Sequence, residues 1–160
     1  MKTHEEITQA INKYADTVNR ICYLNMKNQY DSEDIFQNVF LRYMTKAPKF
    51  KDDNHEKAWI IRVTINLCKD SFKNFFRRNT STLDEVKEID SNDKEDLSYV
   101  REAVKKLPEN YRNVIYLFYY EQYSAVEISS LLHKNVNTIY TWLSRAKDML
   151  KDELGGDILE

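Results

Sequence analysis

The chain has 160 residues, a formal net charge of −2, 42% hydrophobic residues, and only two glycines and two prolines. So few backbone breakers, over long runs of 3.6-residue periodicity, predict an all-α protein of one domain or two small ones. No apolar run approaches the roughly 18 residues of a membrane span, and the opening MKTHEEITQA is polar and acidic, unlike a signal peptide. Cys22 and Cys68 have neither metal nor redox spacing, and His4, His55 and His133 are scattered. These features argue against membrane insertion, a disulfide framework and a metal site, and the cysteines read as small helix residues in a reducing cytoplasm.

In chain order, a first helix is expected from about Thr3 to Lys27, with Glu6 completing a capping box and Ile7, Ile11, Tyr14, Val18 and Ile21 as its buried stripe. Asp31 is the expected cap of a second helix, which ends before Pro48. That helix carries two apolar stripes: Ile35, Val39 and Tyr43, and Phe36, Phe40 and Met44. Two stripes imply burial on two sides, or a core face plus an apolar patch for a partner. After a loop at 50–54, Asn54 is expected to cap a third helix running from His55 to Phe76. Trp59, Ile60, Val63 and Leu67 would face its core and the basic residues its outer side.

Charge is unevenly distributed. Residues 55–78 hold six Lys or Arg against Glu56 and Asp70, whereas residues 79–98 hold two Lys against seven acids. The acidic stretch has no sustained helical stripe and reads as a flexible linker. A basic segment beside an acidic one allows DNA-facing surfaces on a chain that binds free DNA weakly, since the overall phosphate attraction is small.

Beyond it, a helix is expected over 97–106, broken at Leu107-Pro108, with Pro108 at the first helical position of the next element. Residues 110–121 form that element, and Gln122-Tyr123 turns the chain. Ser124 and Glu127 form a capping box for a short helix bearing Ile128, Leu131 and Leu132. Lys134-Asn135-Val136 interrupts the pattern, and Asn135 is a credible cap for the last helix. There Ile139, Leu143, Ala146 and Leu150 share one face. Asn137, Thr141, Ser144 and Arg145 lie opposite, with Tyr140 at the edge. An ordinary αα-hairpin has the same outline. However, Lys134, Arg145 and Lys147 are basic, no acid lies between 134 and 147, and the outer face carries short polar groups and one Arg. This is the layout of a helix-turn-helix with a face for the major groove.

Two stretches of the first half, DSEDIFQNVFLRYM and KAWIIRVTINLCKD, and the second-half run from Leu107 to Leu154 resemble the bacterial sigma-70 family, specifically extracytoplasmic-function (ECF) sigma factors. The resemblance covers roughly residues 8–78 and 99–154 in the family's order. It implies two small helical domains: a region 2-like domain at 1–78 and a region 4-like helix-turn-helix domain at 99–160, joined by the acidic linker at 79–98. It also implies a non-enzymatic cytoplasmic protein, with no cofactor and no metal, that confers promoter specificity on RNA polymerase core. Implied partners are the polymerase (β′ clamp helices and β subunit), promoter DNA and an anti-sigma factor.

Carried onto this sequence, the polymerase surface falls on Asp34, Gln37, Asn38, Phe40 and Leu41, with Asn38 standing where the family often has Glu. For the minus-10 element, Asn66 matches the position near the pocket for a flipped base, and Lys57, Arg62, Lys69 and Lys73 would hold phosphates. For the minus-35 element, the matching residues are Asn137, Thr138, Tyr140, Thr141, Ser144, Arg145 and Lys147; basic residues are common in the family where this chain has Tyr140 and Trp142. Two other functions fit parts of the sequence. A stand-alone helix-turn-helix regulator would explain the second half but has no need of the first. An enzyme using Asp31, Glu33 and Asp34 would lack any accompanying nucleophile, metal ligand or phosphate loop, and three acids at a helix start are explained by capping and the helix dipole.

Overall fold

The structure, a computed structural model, describes the backbone of residues 1–78 and 98–155 and the side chains of 1–71 and 98–155. The elements are α1 (His4–Asn25), α2 (Gln29–Lys46), α3 (Asp53–Arg78), α4 (Ser98–Lys106), α5 (Glu109–Ile115) continuing into a π-helical turn (Tyr116–Tyr120), α6 (Ala125–Leu132) and α7 (Val136–Leu154). The described residues contain no strand. The chain divides into two compact units, Met1–Ser91 and Asn92–Glu160. The expected acidic linker lies outside the described residues.

In the first unit, α1, α2 and α3 pack pairwise into a three-helix bundle. The Thr3 capping box forms as expected: Glu6 N–H donates to Thr3 Oγ1 at 3.1 Å and Thr3 N–H donates to Glu6 Oε1 at 3.0 Å. Helix α1 ends at Asn25, two residues short of Lys27, and Tyr14, Val18 and Ile21 are buried whereas Ile7 and Ile11 are only half-buried. The cap of α2 is Asn28, not Asp31. The Asn28 side-chain Oδ1 accepts from Asp31 N–H at 2.8 Å and its Nδ2 donates to the Asp31 carboxylate at 3.0 Å, so Asp31 is the third helical residue and Asn28 satisfies the orphan donor. Likewise, Asp52 rather than Asn54 caps α3, its carboxylate accepting from His55 N–H at 2.8 Å.

The buried stripe of α3 also differs from expectation. Ile60, Ile61, Thr64, Ile65 and Cys68 are buried, while Trp59, Val63 and Leu67 are half-buried on the flank. Thr64 can sit fully buried because its hydroxyl donates to Ile60 O at 2.7 Å, removing the desolvation cost. Of the two stripes on α2, Ile35, Val39 and Tyr43 are buried; in the second, Phe40 is buried while Phe36 and Met44 are half-buried.

One carboxylate ties all three helices. Glu56 of α3 accepts from Tyr14 of α1 at 2.8 Å and Tyr43 of α2 at 2.7 Å, with Lys13 at 3.9 Å. Glu56→Ala removes the acceptor shared by two buried phenols, leaving Tyr14 only its longer bond to Asp53 O at 3.4 Å, and should cost about 2 kcal/mol or more, with Glu56→Gln costing less; thermal unfolding of the variants checks this. The same contacts predict alkaline sensitivity. Burial, then the hydrogen bond to Glu56, raise the folded-state pKa of both phenols above their ordinary 10.0. The unfolded chain therefore loses these protons first, so their contribution is complete below pH 10 and is lost as pH rises beyond it.

In the second unit, α4, α5 and α6 all pack on α7 or its neighbours. Pro108 is the cap residue itself, with extended ψ, not the first helical residue. Arg112 fastens this corner by donating to Lys105 O at 3.2 Å and Leu107 O at 3.1 Å. The expected helix over 110–121 begins at Glu109 as α5 and widens over Tyr116–Tyr120 into a π turn, whose last N–H, that of Glu121, reaches Tyr116 O at 3.2 Å. Ser124 and Glu127 form the expected capping box, with bonds of 2.9 and 3.1 Å. His133 then adopts left-handed backbone (φ 56°) at the end of α6, and Asn135 caps α7 by accepting from Asn137 N–H at 2.8 Å. Ile139, Leu143, Ala146 and Leu150 are all buried, as their spacing predicts.

Candidate polymerase and DNA interfaces

On α2, the residues opposite buried Ile35, Val39 and Tyr43 are Tyr30, Asp34, Gln37, Leu41 and Thr45, and all five are exposed. At about 100° per residue they form one straight stripe. The structure thus joins Asp34, Gln37 and Leu41. It holds Asn38 beside them, half-buried, with its amide 3.5 Å from the Asp34 carboxylate. It does not join Phe40, which is buried with its ring 5.0 Å from Phe36 and is a core residue. Tyr30 is an addition, hidden from sequence reasoning because Asp31 was expected to be the cap.

On α3, Arg62, Asn66 and Lys69 share an outer face. Asn66 is exposed and its two neighbours are half-buried. Lys57 is nine residues before Asn66, about 180° around the helix, and does not join them. Lys73 lies on α3 beyond the described side chains. Trp59, expected in the core, falls on the Asn66 face instead: residues 59, 62 and 66 follow the i, i+3, i+7 rule. Its indole is held edge-on by Tyr43 (6.1 Å) and Phe50 (5.9 Å). Its spacing from Asn66 could have revealed this in the sequence. Phe50 is in turn covered by Lys2, whose ammonium lies 5.1 Å from the Phe50 ring and donates to Pro48 O at 3.0 Å.

On α7, Asn137, Tyr140, Thr141, Ser144 and Arg145 are exposed, and Thr138 and Lys147 are half-buried. All seven expected residues thus lie off the buried face. Thr141 turns its hydroxyl to Asn137 O at 3.0 Å. Arg145 makes no ion pair or hydrogen bond among the described residues, with neither Asp148 nor Glu121. Glu121 instead accepts from the Tyr116 hydroxyl. An unpaired guanidinium on the acid-free stretch 134–147, on the side of α7 away from its buried face, can meet an anion or a guanine edge without first breaking a contact.

The sigma-70 region 2 family profile matches residues 10–81 and the sigma-70 region 4 profile matches residues 97–150. The chain belongs to the sigma-70 family. In sigma-70 terms, α1–α3 form region 2 and α4–α7 region 4, the latter containing the helix-turn-helix α6–α7. Relatives include the ECF RNA polymerase sigma factor SigW of Bacillus subtilis, 26% identical over 88% of this chain and 84% of that protein. Another is the RNA polymerase sigma factor SigV of the same organism, 27% identical over 84% and 82%. Among solved structures, the sigma factor RpoE bound to the anti-sigma factor NepR from Bartonella quintana shares the fold. Its TM-score is 0.78 at 18% identity, covering 96% of this chain and 99% of that one. This sigma factor is of the ECF type, with regions 2 and 4. Among its described residues no helix is long and apolar enough to cross a membrane.

Proposed function

We propose that this sigma factor binds RNA polymerase core through the exposed stripe of α2, engages the minus-10 element through the outer face of α3, and reads the minus-35 element through α7. Residues 1–78 and 99–160 would be the working domains and 79–98 their linker. The observation that carries this is the coincidence, in one chain, of three solvent-facing sets of polar side chains on helices whose opposite faces are buried. A stand-alone helix-turn-helix regulator accounts for α7 but leaves the α2 and α3 faces without a purpose. The protein acts in the cytoplasm without catalysing a reaction, and an anti-sigma factor is a fitting regulator, as in the RpoE–NepR complex. Retention of the purified chain on immobilised core polymerase tests the proposal. Stoichiometric retention is expected, and failure to bind core while binding duplex DNA would favour the regulator instead.

Asn66 gives a residue-level check on the minus-10 face. Its amide can pair with the edge of an extruded base, a step costing a few kcal/mol. Asn66→Ala should relax preference at one promoter position and spare core binding. Equal loss on every single-base variant of the element would assign Asn66 a structural role.

A further inference from the structure

Tyr30 is the most exposed aromatic side chain among the described residues, at 80%, and it sits in the first turn of α2. Its register decides its use. Tyr30, Asp34, Gln37 and Leu41 follow one another at four, three and four residues, so they lie on a single line roughly 16 Å long. Both ends of that line are apolar, since Leu41 is 53% exposed, and the centre is polar. Exposed Glu33 and Asp34 make its Tyr30 end acidic.

Exposed Tyr30 and Leu41 stand at the two ends of the line proposed above to meet polymerase, and each gains when a partner covers it. Tyrosine suits an anchor: it offers broad apolar area and a hydroxyl while losing few rotamers when immobilised. Among the described residues the Tyr30 side chain has no hydrogen bond or ring contact. Its ring can therefore be donated to a partner without cost to the fold.

We infer that Tyr30 is an anchor of the polymerase interface, seated in an apolar pocket of the core enzyme beside basic side chains that meet Glu33 and Asp34, and excluding water from the Asp34 and Gln37 contacts. The occupant is RNA polymerase core because the line is continuous with the polar cluster proposed above to bind it. Tyr30 thus rests on that proposal, and the test separates the two.

Dissociation constants for core polymerase are measured for the full chain, for Tyr30→Ala, for Tyr30→Phe, and for the Asp34→Ala, Gln37→Ala double variant, with thermal unfolding of each alongside. Tyr30→Ala should bind about 30-fold more weakly, as expected for loss of an aromatic hot spot. Tyr30→Phe should retain most of the affinity, and unfolding should be unchanged. If Tyr30→Ala binds within twofold of the parent while the double variant fails to bind, Tyr30 is not an anchor although α2 is the interface. If neither variant alters binding, α2 is not the polymerase surface, and the role of Tyr30 falls with it.

Discussion

Alanine at both Asp34 and Gln37 is expected to weaken binding to core polymerase by about 100-fold or more while leaving the helical CD signal and thermal unfolding unchanged. Both side chains are exposed and stand one turn apart on α2, and the helix is held to the bundle by Ile35, Val39 and Tyr43 on its other side. Removing them therefore touches no buried contact. A hydrogen bond to a charged group contributes roughly 1.5–3 kcal/mol once its partner is desolvated. Two such losses at the centre of an interface, where neighbouring contacts exclude water, give the stated size. The Asn38 amide, 3.5 Å from the Asp34 carboxylate, is too far for a strong bond and leaves that carboxylate available. Unchanged retention on immobilised core would remove α2 from the interface.

The second large effect is expected at Arg145. Exposed and unpaired among the described residues, it lies six residues after buried Ile139, about 120° from the apolar centre of α7. Its planar fork matches guanine O6 and N7, a pairing that discriminates by roughly 1–3 kcal/mol. Arg145→Ala should lower initiation at minus-35-dependent promoters by about tenfold or more and flatten preference at one or two base pairs. Lys147 is half-buried at the edge of the same helix. Lys147→Ala should weaken binding about equally on all sequences and reduce the salt slope by roughly 1. A promoter library assayed with both variants checks the pair. Unchanged base preferences with Arg145→Ala would leave Tyr140, Thr141 and Ser144 as the readers.

Much of this architecture was legible because its signals are local. The capping boxes at Thr3 and Ser124 need only two side chains three residues apart, and both form. The buried line of α7 was readable for the same reason, since no competing stripe exists on that helix. Elsewhere two signals competed. Residues 25–34 contain several groups able to cap a helix, and the choice of Asn28 depends on where α1 ends and Met26 is buried. That one displacement hid Tyr30. On α3, the line Trp59, Val63 and Leu67 is more apolar in sequence than the line Ile60, Thr64 and Cys68, yet the latter is buried because the Thr64 hydroxyl finds its partner within the helix. Helical spacing alone, by contrast, puts Trp59 on the Asn66 face and Lys57 opposite it, whichever line the core takes. The α2 stripe illustrates the same limit: periodicity placed Phe36, Phe40 and Met44 together, but only packing against α1 and α3 decides that Phe40 goes inward and Leu41 stays out.

The central claim is that this chain gives RNA polymerase core its promoter choice, and start-site mapping of transcripts made in vitro by purified core with and without the chain tests it most directly. With the chain added, initiation should concentrate at discrete sites sharing common sequence near minus-35 and minus-10, and Arg145→Ala should change which of those sites are used. Start sites that are the same with and without the chain, while the chain alone binds an operator duplex, would contradict the account.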